Sequence, residues 1–482
     1  MNLATGASNN WLSFGDFRLV KLDATLATAE DYADLNTAIR TAEAKTLGFD
    51  KGEYAPYNNV EALTKLAEAK AINQSANNVQ EEIKTLTTEL NAASWTVNDS
   101  EVNNAIYDGT FAIQPGHTTG PTALVGWNNP EGIRQLIKNT ETYPGLNSAT
   151  DKAAVFAWGN TTMIYGETEG YTLPLNAYTL YELSFKTCGW SDGDMGYVNV
   201  DIKNSSNEGL QTVGTVTATK RITESDPWNE FKILFVTGEA GNYKLGMWTS
   251  KHTTFTDIVL KKAASQTLTF AEDGSTPKFA AGTYPTVALD REFSTEKRST
   301  MVLPFALTKD ETSAAFEEVY ELDAVEGQSI KLAEATEIAA GKPYLVKAKN
   351  ATLSVTGKAL DPSTTVDNTV KSDASSTVTF VGRFSPVVLT AAANANAYVV
   401  SSNTLYQVTS DVNVKAYRGY FTIDTTGGVK NFVLDFGNGE TTNIEALESE
   451  TRDKVIYNLA GQRVQKAQKG VFIVNGKKVV IK

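Results

Sequence analysis

The sequence predicts a mainly β, multidomain chain made of β-sandwich-like modules, with one small three-helix bundle near the N-terminus. Short runs of alternating apolar and polar residues, broken by Gly, Asn, Asp and Ser, recur from Trp95 onward. Residues 24–94 change character, with Ala, Glu, Lys and Leu frequent and apolar residues at helical spacing. The 482 residues exceed one core at roughly 100 to 200 residues per domain. With 41% hydrophobic residues and 35 Gly against 13 Pro, the composition argues against disorder and collagen-like structure.

The first element is the heptapeptide Ser13-Phe14-Gly15-Asp16-Phe17-Arg18-Leu19, whose pattern recurs at Thr254-Phe255-Thr256-Asp257-Ile258-Val259-Leu260. Each copy reads as a last strand, with apolar residues alternating around an Asp. A long strand-like stretch leads into the second copy and almost nothing into the first. A lone strand cannot bury its inward face. Residues 1–23 are therefore expected to be the last strand or strands of a truncated module, and the chain the C-terminal part of a longer one.

Three helices are expected over 24–94. Leu35, Ile39 and Ala42 mark one stripe, Leu63, Leu66 and Ala69 a second, and Ile83, Leu86 and Leu90 a third. Gly48, Gly52 and Pro56 interrupt the pattern, and a residue between Asn77 and Gln80 is expected to cap the third helix. The segment Glu53-Tyr54-Ala55-Pro56-Tyr57-Asn58-Asn59-Val60 resembles helical FIVAR-type modules of bacterial surface proteins, and the bundle reads as a spacer.

Residues 95–263 follow as short strands, among them Tyr181–Lys186, Gly196–Ile202 and Glu230–Val236, a pattern that favours a two-sheet sandwich. The opening Asn103–Phe111 with its Asp108-Gly109, the Gly126-Trp127 pair, the Thr179–Lys186 strand and the final Phe255-x-Asp257-x-x-Leu260 resemble jelly-roll carbohydrate-binding modules, notably families four and nine and their relatives. That resemblance implies a jelly-roll fold and a poly- or oligosaccharide partner. It also implies a structural Ca2+ held by Asp257, with Asp108 and Glu101 as partners and Asp16 as the equivalent of Asp257; the alternative is an Asp that hydrogen-bonds a neighbouring loop. Calcium asks for six to eight oxygens.

Beyond Trp95 at its boundary, five of the seven Trp (127, 158, 190, 228 and 248) fall in this module. A sugar ring stacks its C–H face on a flat aromatic while its hydroxyls need polar partners. Trp158, Asn160, Tyr165, Trp190, Asp192 and Trp228 supply that mixture and are the candidate ligand residues. The competing reading makes each Trp a core residue, as is normal in sandwiches.

Residues 264–436, with Ser299–Phe305, Val319–Leu322 and Gly341–Lys347 as landmarks, look like a β-module found in surface proteins of gut and rumen Bacteroidales. Residues 437–482 form an acidic hinge and then a basic end, with eight Lys or Arg and one Asp from Arg452 onward. Asn475-Gly476 signals a two-residue hairpin. Tyr457-Asn458-x-x-Gly461-Gln462 followed by Lys469-Gly470-x-Phe472-Ile473 resembles the C-terminal sorting domains of Bacteroidota type IX secretion cargo. This implies a secreted or cell-surface protein that engages outer-membrane secretion or anchoring machinery.

Catalytic signals are sparse. Two His, one Cys and no nucleotide-binding loop give no triad, His-rich zinc site or phosphate cradle. Asp192 and Asp194 are close enough in sequence to be offered as a glycosidase pair, yet Trp190-Ser191-Asp192-Gly193-Asp194 reads as a turn. A net charge of −13 opposes nucleic-acid binding, and no apolar run is long enough to span a bilayer. The expected protein is a non-catalytic, modular, glycan-binding one. The alternatives are structural or adhesin spacer modules, or the accessory part of a glycoside hydrolase whose catalytic domain lies upstream.

Overall fold

A computed structural model describes residues 24–114, 123–129, 135–138, 152–156, 161–191, 197–204, 211–249, 251–401, 404–426, 432–437, 441–442, 444–446, 456–458, 463–464, 470–474 and 477–481. The strand expected around Asp16 lies outside them. The described chain is mainly β, its strands gathered into several sheets. It divides into two compact units, Met1–Leu234 with Glu239–Ala263, and Phe235–Gly238 with Ala264–Lys482.

The first unit begins with helices α1 (Ala29–Glu43), α2 (Val60–Lys70) and α3 (Gln80–Ala92). Leu35, Ala38, Ala42, Ala69, Ile83 and Leu90 form their shared core, so the helical stripes point inward as their spacing predicts. The cap expected for α3 is made differently. Val79 is its N-cap and offers no side-chain acceptor, while Asn78 donates to Tyr32 Oη and the Asn73 carbonyl.

The polar group that ties α1 to α3 is Asp31. It completes a capping box with Thr28 and accepts from the Thr28 backbone N–H at 2.7 Å and from Gln80 Nε2 at 2.9 Å. The Thr28 backbone N–H, the Gln80 amide and the Thr28 hydroxyl, with Lys84 nearby, hold its carboxyl down at about 2. A depressed carboxyl stabilises the fold above its unfolded value and loses that contribution as pH falls through its folded value. Asp31→Asn is therefore expected to lower the urea midpoint of the helical signal at neutral pH. The gap from the unsubstituted protein should close as pH falls from about 4 to about 2.

Among the described residues eleven strands follow: β1 (Trp127–Asn128), β2 (Gln135–Lys138), β3 (Lys152–Val155), β4 (Thr161–Tyr165), β5 (Leu173–Leu175), β6 (Leu180–Gly189), β7 (Tyr197–Asn204), β8 (Gln211–Thr217), β9 (Asn229–Val236), β10 (Gly241–Thr249) and β11 (Thr253–Lys262). One sheet runs β1-β4-β10-β7-β8 with β5 also on β10, the other β2-β3-β11-β6-β9. Alternation sends Val198, Val200, Leu245 and Met247 of the first sheet, and Phe185 and Phe255 of the second, into the core. The Phe156 and Phe255 rings meet there at 4.7 Å.

The Phe-x-Asp signature of β11 is a bulge. Its pairing with β6 shifts register between Thr256 and Val259, and Asp257 adopts φ 51. The extra residue changes the phase of the strand, so Phe255, Ile258 and Leu260 all reach the core although they do not alternate regularly. The opening segment grips this bulge. Asn104 donates to the Ile258 carbonyl and accepts from the Leu260 N–H, and a Cβ on Gly109 would meet the Ile258 oxygen at 1.9 Å.

The helical segment, read as a spacer, packs directly onto the sandwich. Asp50 accepts from Lys262 Nζ at 2.5 Å and from Asn176 Nδ2 at 3.0 Å. Tyr57 donates to the Asn104 carbonyl at 2.8 Å, and the Tyr57, Tyr107 and Tyr171 rings follow one another at 5.9 and 5.1 Å.

In the second unit, one six-stranded sheet contains Ser299–Val302, Phe316–Glu326, Ser329–Glu334 and Pro343–Ala348, and another contains Ser376–Arg383, Ala397–Ser401, Thr404–Gln407 and Arg418–Thr425. Leu322, Ile330, Leu345, Phe380, Phe421 and Leu434 share a core, with Phe380 stacked on Phe421 at 4.2 Å. Near the C-terminus Ile456–Asn458, Arg463–Val464, Gly470–Val474 and Lys477–Ile481 form a four-stranded antiparallel sheet. Val474 pairs with Lys477; the hairpin residues Asn475 and Gly476 lie outside the described residues. Among the described residues, no helix is long and apolar enough to cross a membrane.

Candidate functional site

The site is built on the outer face of the β1-β4-β10-β7-β8 sheet. On β10, Tyr243, Leu245 and Met247 point inward, so Lys244, Gly246 and Trp248 take the opposite phase. On β7, Val198, Val200 and Ile202 point inward, which sends Asn199, Asp201 and Lys203 to the opposite face, where Asn199 and Asp201 are themselves buried. Residues directly opposite one another in an antiparallel pair share a face. Pairing therefore assembles one cross-strand row of Thr162, Trp248, Asn199 and Thr215, and a second of Asn128, Ile164, Gly246, Asp201 and Thr212.

This face combines a flat ring with polar groups held in fixed positions. Trp248 is half-buried. Thr215 Oγ1 donates to Asn199 Oδ1 at 2.6 Å, which orients the Asn199 amide. Gly246 contributes no side chain, leaving a gap between Trp248 and Lys244. Asp201 stands across that gap at 8% exposure. Its Oδ1 is buried, and among the described residues no group donates to it. A buried carboxylate oxygen without a donor costs free energy. At the margin, Glu167 accepts from Lys244 Nζ at 2.5 Å and from Asn128 Nδ2 at 2.6 Å. The Lys244 ammonium, helped by Asn128, holds the Glu167 carboxyl below its ordinary range.

The ligand residues expected from sequence are placed differently. Tyr165 is fully buried; it packs against Trp127 at 5.1 Å, and its hydroxyl accepts from the Tyr107 N–H. Trp228 is buried with Ile137, Val155 and Cys188. Both rings serve the core, which corrects their assignment to a sugar platform. Trp190 is half-buried and stacks on His252 at 4.9 Å. Trp158, Asn160 and Asp192 lie outside the described residues, as does Asp194. Trp248, Asn199 and Asp201 were not among the candidates. The signal that identifies them is strand phase.

Asp108 and Asp257 line a cavity of about 750 Å³ between the Tyr57 segment and the second sheet. Glu101 lines a separate, smaller hollow beside Asp50 and Lys262. Protein donors already engage the two aspartates. Lys186 Nζ lies 2.7 Å from Asp257 Oδ2, and Asp108 Oδ2 accepts from the Ile113 N–H at 3.0 Å. No cluster of three His, Cys, Asp or Glu suited to a metal occurs among the described residues. Of the three residues expected to hold calcium, Asp257 and Asp108 share one cavity and Glu101 lines another.

Neither a family model nor a curated protein matches this sequence. Solved structures similar to part of the chain include three carbohydrate-binding modules. The family 6 module of a marine laminarinase from Zobellia galactanivorans is 15% identical, over 24% of this chain and 83% of its own, at a TM-score of 0.19. A family 35 module from Paenibacillus barcinonensis is 16% identical, over 31% and 99%, at 0.20. A module of Cellvibrio mixtus lichenase 5A, in complex with cellotriose, is 11% identical, over 31% and 92%, at 0.20.

Proposed function

We propose that the first unit binds an oligo- or polysaccharide on the outer face of the β1-β4-β10-β7-β8 sheet, within a non-catalytic, modular protein that is secreted or held at the cell surface. One observation carries the reading: a half-buried indole, Trp248, lies in the same cross-strand row as Asn199 and one row from the donorless carboxylate oxygen of Asp201. A pyranose stacks its C–H face on Trp248, and the Asn199 amide donates to one of its oxygens. Glu167, tied to Lys244 and kept ionised, is unsuited to act as a general acid. The basic C-terminal sheet serves export or anchoring in this scheme.

A glycan array probed with the full chain, followed by calorimetric titration of the best ligand, tests the proposal. Saturable binding to one family of neutral glycans is expected. Uniform absence of binding would favour the structural or adhesin reading.

A further inference from the structure

We infer that this sandwich closes without a structural divalent cation, because two lysine ammonium groups, Lys152 and Lys186, hold the oxygens such an ion would take. The loop from Asp108 to Gln114 turns sharply, with Asp108 at φ 50 and Phe111 at φ 57. The Phe111 side chain is fully buried, so the turn is anchored in the core. The Ala112 and Gln114 carbonyls of this loop both accept from one ammonium group.

The cation is supplied by the first residue of β3. Lys152 is fixed at its backbone from two sides: its N–H donates to the Thr110 carbonyl at 3.2 Å, and its carbonyl accepts from Thr256 Oγ1 at 2.8 Å. Its Nζ then reaches the Ala112 carbonyl at 3.2 Å and the Gln114 carbonyl at 2.6 Å. On β11 the bulge carboxylate, Asp257, is neutralised by Lys186, which also lies 3.6 Å from Glu230. Asp108 turns its carboxylate back onto the loop's own N–H groups. Loop carbonyls and bulge carboxylate are thus engaged by fixed positive charges. A divalent ion arriving at the loop carbonyls or at the bulge carboxylate meets an ammonium group already bonded to oxygens it would need for its six to eight ligands.

Thermal unfolding of the full chain in excess EDTA and in millimolar CaCl2 tests this. The two midpoints should agree within about 1 °C, and Lys152→Met should lower the midpoint by roughly 3 to 10 °C in both buffers. A calcium-dependent rise of the unsubstituted chain would overturn the inference. A Lys152→Met midpoint equal to that of the unsubstituted protein would also overturn it. If Lys152→Met does not fold, the calcium comparison on the unsubstituted chain still decides.

Discussion

Trp248→Ala should weaken glycan binding by about ten- to a hundredfold, since the indole stack and its buried area contribute roughly 1.5 to 3 kcal/mol. Stability should change little. The half-buried ring lies on the outer face of β10, while Leu245 and Met247 of the same strand hold the core. Asp201→Asn separates recognition from packing. It retains the shape and, because the oxygen is buried beneath the face, should leave affinity within about twofold. It should also leave the fold as stable or more so, because Asp201 Oδ1 is buried with no described donor. Trp228→Phe is the control: that ring is in the core, so affinity should hold while the unfolding midpoint falls. Affinity electrophoresis and thermal unfolding of the same three variants provide both readouts.

Cutting the chain at residue 95 should have the second large effect. Residues 95–263 alone lose the Tyr57 side chain from the aromatic series with Tyr107 and Tyr171. They also lose the Asp50 acceptor of Lys262 and Asn176, and the Gly48 and Asp50 carbonyls bound by Asn98. Burial of one Tyr and several hydrogen bonds together contribute at least about 3 kcal/mol. Residues 24–263 should therefore unfold cooperatively at a clearly higher midpoint than residues 95–263. Equal midpoints for the two fragments, followed by calorimetry, would mean that the helices act only as a spacer.

How much was legible depended on whether the deciding interactions were local. The helical stripes at Leu35, Ile83 and Leu90 were legible because spacing alone selects the buried face. Strands such as Tyr181–Lys186 were legible for the same reason. The site was not. Counting Trp picks out the module but ignores phase, and phase separates Trp248 from Trp228. Asn199 and Thr215 join Trp248 only through the registers of β7 with β10 and β8, which local sequence does not encode. The Phe255-x-Asp257-x-x-Leu260 pattern was correctly seen as distinctive, yet it marks a bulge that puts Phe255 and Ile258 on the same side. The calcium expectation named Asp257, Asp108 and Glu101 without the cations that lie near them. Lys186, the partner of Asp257, and Lys152, which bonds the loop carbonyls, come from other strands.

The most direct measurement is two-dimensional ¹H–¹⁵N NMR of residues 24–263 titrated with the glycan selected on the array, with the Trp248 indole assigned by Trp248→Phe. The Trp248 Nε1–H and Asn199 side-chain amide signals should move together along one binding curve, with those of the buried Trp127 and Trp228 unchanged. Saturation of the glycan with no shift at Trp248 or Asn199, or with shifts confined to residues around the Asp108 and Asp257 cavity, would contradict placement of the site on this sheet face.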